Sequence, residues 1–192
     1  MKIKNRIITS IISAIITIII VVMILGGFMF IPSLFLPNPS KPNITYAEFP
    51  FTLVYEINGE KKTVEDTLIC EYNGVEINTG QGKIRKWRQK FASGNPKILL
   101  WVGENVKSLE GFSSSIMARQ EIFFYPGPAW YYMGDGEKEL NFPGVAFFEQ
   151  APGFSGNDGV EGYLFEGEKL FERFGIKIIS WECAPPIKNY FK

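Results

Sequence analysis

The chain has no histidine and only two cysteines, Cys70 and Cys183, among its 192 residues. Without histidine there is no Ser-His-Asp or Cys-His nucleophile, no imidazole-ligated zinc or haem, and no imidazole switch near neutral pH. Two distant cysteines cannot supply a four-thiolate zinc site or an iron–sulfur cluster. No cofactor and no metal centre is therefore expected. Charge of one sign is not in excess either: 20 Lys+Arg balance 20 Asp+Glu. Bulk charge offers no case for nucleic acid as a partner.

Charge is missing altogether from one long stretch. Residues 7–31 read IITSIISAIITIIIVVMILGGFMFI, with Thr and Ser as the only polar interruptions. As a helix they would extend roughly 37 Å, enough to cross a hydrocarbon core of about 30 Å with some tilt. The apolar run is about twice the usual length of a signal-peptide core, and no A-x-A-like cleavage site follows closely. The nearest match, Thr45-Tyr46-Ala47, lies well past the run. An uncleaved, single-pass signal anchor in the cell membrane is expected, with residues 7–31 in the lipid bilayer. Lys2, Lys4 and Arg6 precede the run and only Lys41 follows it closely, so the N-terminus stays cytoplasmic and the C-terminal domain lies outside.

This reading divides the chain into a cytoplasmic tip (1–6), the anchor (7–31), a Pro-rich tether (32–47) and an extracytoplasmic domain (48–192). Removing the first 40 residues leaves 152, a normal domain size, and takes away three basic residues and no acid. What remains has 17 basic and 20 acidic residues, a net of −3.

Residues 51–57, FTLVYEI, alternate with the period of a half-buried strand, and Asn58-Gly59 supplies the positive φ angles of a tight hairpin turn. A return strand is predicted from about Lys61 to Tyr72, with Val64, Leu68, Cys70 and Tyr72 on one face and the next turn at Asn73-Gly74. KILLWV (97–102), EIFFYP (121–126), WYYM (130–133) and VAFFEQ (145–150) are apolar runs of strand length, with Pro and Gly between them. APGFSGNDG (151–159) reads as a loop. Leu164, Phe165, Leu170, Phe171 and Phe174 fall on one helical face, with Gly175 as the C′ residue. IKIISWEC (176–183) follows as a strand, closed by Pro185-Pro186. Several strands, then a short helix leading into a final strand, predict an α+β domain, mainly antiparallel β.

The segments EFPFTLVYEINGEKKTVEDTLICEYNG (48–74) and LFERFGIKIISWECAPPI (170–187) resemble small single-pass membrane-anchored extracytoplasmic proteins of Gram-positive Firmicutes. The resemblance implies a bacterial cell-surface setting. It transfers no catalytic or binding residue.

Four features could carry chemistry. Cys70 and Cys183 could form a disulfide, which an exported domain permits; the alternative is two buried thiols acting as small hydrophobes. Lys83, Arg85, Lys86, Arg88 and Lys90 surround Trp87 in a stretch without acids, fit to dock on phospholipid headgroups or an anionic envelope polymer. Equally, that stretch could be an ordinary element with a solvated basic face and Ile84, Trp87 and Phe91 packed inward. Trp130, Tyr131 and Tyr132 could present rings to a glycan, or could be core. Finally, Asp135, Glu137, Glu139, Asp158 and Glu161 lie in or near predicted loops, where paired carboxylates could serve a cell-envelope hydrolase. Tyr131-Tyr132-Met133-Gly134-Asp135 resembles the Met-Gly-Asp segment of type I signal peptidases. However, Ser113–Met117 lacks that family's Ser-Met pairing, and no lysine lies between it and Met133. A binding, scaffolding or envelope-sensing role without catalysis is the expectation. Its partner would be an anionic polymer, a glycan or another envelope protein.

Overall fold

A computed structural model describes Ile12 and residues 15–21, 36–78, 82–109, 116–136, 143–156, 158–164 and 167–191. Most of 7–31 therefore lies outside the described residues; Ile12 and residues 15–21 are helical, with exposed side chains. Among the described residues no helix is long and apolar enough to cross a membrane. The chain falls into two compact units, Pro42–Tyr72 with Trp87–Lys192, and Met1–Lys41 with Asn73–Lys86.

The strands are β1 (Tyr46–Ile57), β2 (Glu60–Asn78), β3 (Gly82–Phe91), β4 (Ile98–Lys107), β5 (Ile116–Tyr125), β6 (Gly144–Gln150), β7 (Val160–Leu164) and β8 (Ile176–Cys183). Two short helices, α1 (Ala129–Tyr132) and α2 (Gly167–Phe174), interrupt them. The strands form two four-stranded sheets, ordered β3-β2-β1-β8 and β4-β5-β6-β7. The domain is mainly antiparallel β-sheet with a few short helices, as an α+β class requires.

In the larger unit the alternation of β1 decides which face is buried. Phe49, Phe51, Leu53 and Tyr55 point inward, joined by Leu68 and Cys70 of β2 and Ile176 of β8. Ile98, Leu100, Ile122, Phe124, Val145 and Phe147 of the second sheet complete the same core. The half-buried Trp181 of β8 packs against both layers, its ring tilted 4.8 Å from the Phe51 ring and 4.7 Å from the Phe124 ring. Leu170 and Phe174 of α2 are buried in this core, whereas Phe171 is 55% exposed and leaves the predicted apolar face.

The first hairpin turns at Asn58 and Gly59, with φ of 53° and 84°, the primed geometry that matches strand twist. It is locked to the end of α2. Asn58 N–H donates to the Gly175 carbonyl (3.0 Å), and Gly175 N–H donates to Phe171 O (2.8 Å). Gly175 has φ of 63°, and a Cβ there would come within 2.6 Å of Asn58 Oδ1. The left-handed φ at the helix end therefore favours glycine, and a Cβ would also push the Asn58 side chain aside.

Several expectations need correction. Asn73-Gly74 is not a turn: β2 runs on to Asn78, and the φ of 90° at Gly74 is spent inside the strand. WYYM is not a strand, because Pro128 leads into the single turn α1. Leu164 belongs to β7, an element the sequence reading did not contain. Gly167 opens α2 instead of weakening its middle. Residues ahead of β1 also pair with the C-terminal segment. Pro42 bridges Phe191, Asn43 N–H donates to Tyr190 O (3.0 Å), and Asn189 holds both backbone groups of Ile44.

A buried polar knot fastens the end of β4. Glu149 is 4% exposed and accepts from Ser108 Oγ (2.7 Å), Leu109 N–H (2.6 Å) and Gln120 Nε2 (2.5 Å). Arg173 of α2 donates to the carbonyls of Lys107 and Ser108 on the same segment.

Candidate functional site

The two cysteines do not form a bridge. Both are free thiols, and β1 lies between their strands. Two interstrand spacings separate β2 from β8 by about 10 Å, beyond the ~7 Å limit on Cα separation in a disulfide. Register adds to the gap, since Cys70 is opposite Ala47 and Cys183 opposite Phe51. Burial pushes the Cys70 thiol up to about 12 from an ordinary 9.0. Burial also raises Cys183, and the neighbouring Tyr132 hydroxyl acts in the opposite direction. Thiol reagent should therefore find two groups in the unfolded, unreduced chain and react slowly with the folded one; a count of zero after unfolding would restore the bridge. The thiols also stay protonated longer in the folded state. The contribution of Cys70 to stability is full below about pH 9 and is lost as pH rises towards 12. A melting temperature that declines above pH 9, less steeply in Cys70→Ala, is the expected profile.

The basic stretch is strand β3, an edge of its sheet, so its side chains alternate. Lys86, Arg88 and Lys90 are exposed on one face, and each has an acid within reach. Arg88 and Lys90 both meet Glu71, at 3.1 and 3.2 Å, and Lys86 meets Glu76 at 3.3 Å. The hydrogen bond from Arg88, then that from Lys90, holds the Glu71 carboxyl below its ordinary range. Trp87 faces the other way, with its Nε1–H on Asp135 Oδ2 (2.6 Å) and its ring edge-on to Tyr72. Phe91 shares the Trp87 side and is buried, whereas Ile84 lies on the opposite face by alternation.

Trp130, Tyr131 and Tyr132 do not form an open platform. Tyr132 is 3% exposed, packs against Phe49 and donates its hydroxyl to Pro126 O (2.7 Å). Tyr131 is half-buried, edge-on to Tyr132. The Trp130 ring lies so close to Gly136 that a Cβ there would come within 2.5 Å of it.

A more promising surface is the outer face of the β4-β5-β6-β7 sheet. Phe123, Ala146 and Phe148 form a second small buried cluster there, with Tyr125 packed against it. Register places Leu99 beside Phe123, Glu121 and Glu161 beside Phe148, and Tyr163 beside Ala146 on that face. Lys97 lies over it, with Nζ 4.4 Å from the Phe123 ring centre and 4.9 Å from that of Phe148. The ammonium also meets Glu161 Oε1 at 2.8 Å and Glu121 Oε2 at 3.6 Å, while Arg119 pairs with the other oxygen of Glu121 at 2.6 Å. Two adjoining depressions, about 430 and 740 Å³, share Pro96, Lys97 and Glu161 in their linings. The smaller is walled by Tyr125 and Tyr163, whose ring centres are 5.4 Å apart. Burial, with Tyr163 adding to it, pushes the Tyr125 phenol up.

No protein-family model, no curated protein and no solved structure matches this chain.

Among the described residues, Glu121 and Glu161 are acids that converge. Their oxygens both contact Lys97 Nζ, which bounds their separation to about 6.4 Å, near the range of glycosidase pairs. The lysine occupies the gap where a glycosidic oxygen or water would have to lie. Among the described residues no group of three or more acids or thiols is arranged to hold a metal ion. What the arrangement offers is an aromatic floor beside ion-paired, hydrogen-bonding heads.

Of these residues Glu161 is among the acids the sequence singles out, whereas Lys97, Glu121 and the tyrosine pair carry no local signal of a shared site. One signal for this face was present. EIFFYP and VAFFEQ put phenylalanine on both faces of their strands, at Phe123-Phe124 and Phe147-Phe148, and a strand apolar on both sides has something to cover on each.

Proposed function

We propose that this chain is a membrane-anchored extracytoplasmic binding domain that takes a short glycan in the groove around Lys97 and performs no catalysis. The observation that carries the reading is the pairing of two neighbouring tyrosines, Tyr125 and Tyr163, tilted at 59° to each other, with the charged heads of Lys97 and Glu161 in one depression. Sugar rings present apolar C–H faces to aromatic side chains and hydroxyls to such heads, and the depression has the volume of a small-ligand site. The anchor and the outward orientation rest on the uncharged run at 7–31 and the basic residues before it. The cell-envelope setting rests on the resemblance of 48–74 and 170–187. The hydrolase alternative is disfavoured by the lysine lodged between its two acids.

Calorimetric titration of the detergent-solubilised chain with a soluble N-acetylglucosamine tetrasaccharide tests the reading. Binding is expected, weakened about tenfold in Tyr163→Ala, the loss of one aromatic contact. Tyr163 is 50% exposed, so its circular dichroism should be unchanged. A flat isotherm for the unaltered chain overturns the glycan reading.

A further inference from the structure

We infer that the hairpin end built by residues 73–78 and 82–86 is a second, electrostatic contact with anionic phospholipid headgroups, beside the tether. The inference rests on the membrane anchor proposed above. Arg85 of β3 donates from Nη1 to the carbonyl of Ser40 (3.2 Å), and the side chain of Leu36 lies against Gly82, where a Cβ would come within 2.8 Å of it. The hairpin end therefore holds the segment that emerges from the anchor.

Chain length fixes how far this end can be from lipid. Leu36 is five residues past Ile31, the last residue of the apolar run, and five residues span at most about 18 Å. The headgroup layer fills the first several ångströms of that distance.

Charge then selects the surface. Lys41, Lys83, Arg85 and Lys86 against Glu76 give this unit's tether and hairpin a net of +3, whereas Pro42–Tyr72 with Trp87–Lys192 carries −6. An anionic surface attracts the first and repels the second. Strand alternation puts Lys83 and Arg85 on one face of β3 and Lys86 on the other, so cations lie on both faces of the hairpin end. Ile77 and Leu36, 45% and 46% exposed, add apolar side chains to the same unit. Cations flanking exposed aliphatic groups suit the boundary between headgroups and acyl chains.

The full chain, reconstituted in nanodiscs of phosphatidylcholine alone or mixed equally with phosphatidylglycerol, provides the test. Amine labelling of each lysine is followed by mass spectrometry, with Lys61, Lys62 and Lys177 as references. Lys83 and Lys86 should label about fivefold more slowly in the anionic discs, as expected for a cation held at a charged surface. The difference should vanish at about 0.5 M salt, where screening is short-ranged. Equal rates in the two lipids, with the chain retained in both, overturn the headgroup contact alone. The same slowing at all five lysines also overturns it, because that reports the bulk potential. A chain that leaves both kinds of disc overturns the anchor reading, and this inference with it.

Discussion

Glu149→Ala is expected to destabilise the domain by about 3–5 kcal/mol, one of the two largest effects of any single substitution proposed for this chain. The carboxylate accepts from Ser108, Leu109 and Gln120 at a position 4% exposed. Alanine would take the acceptor from one buried donor, on Gln120, and from two part-buried ones, on Ser108 and Leu109, and each donor left unsatisfied costs about 1–3 kcal/mol. Glu149→Gln retains one acceptor oxygen but turns an amide group towards those donors, so it should fall between the two. Urea unfolding followed by circular dichroism measures the difference. A loss below about 1 kcal/mol for Glu149→Ala would mean that water or the backbone replaces the carboxylate without penalty.

Trp181→Ala should cost about 3–5 kcal/mol, by removing the ring on which the two sheets meet. Phe51 and Phe124 each pack against it from a different layer, so no single neighbour can close the space. Trp181→Phe keeps aromatic contact with one side and should lose about half as much. The same urea titration reads both variants. If Trp181→Ala proves no more harmful than Trp181→Phe, the ring is a surface cover and not a contact between layers.

The parts of the fold legible from sequence were those set by neighbours in the chain. The alternation of Phe51, Leu53 and Tyr55, the Asn58-Gly59 turn and the Gly175 helix ending are local, and the structure has all three. Gly74 shows the limit. A glycine with positive φ can make a turn or bend a strand, and only the partner strand decides. WYYM failed for a related reason: aromatic residues favour pleated surfaces, but Pro128 and the burial of Tyr132 made a helical turn the better fit. The groove was the least legible feature. Lys97, Glu121 and Glu161 are distant in sequence and meet only because β4, β5 and β7 lie in one sheet. The basic run, by contrast, was visible as a run, but the acids that balance it belong to β2.

The first and last strands are neighbours, β1 beside β8, and Pro42 meets Phe191 next to them. This has a consequence for the order of events at birth. A chain emerging from a ribosome or a translocation pore can close the β1–β2 hairpin early, yet β1 keeps one unpaired edge until the final strand has been delivered. Such high contact order slows folding and leaves the early half open while synthesis proceeds. The edge of β1 is thus covered only when Ile176–Cys183 pairs with it.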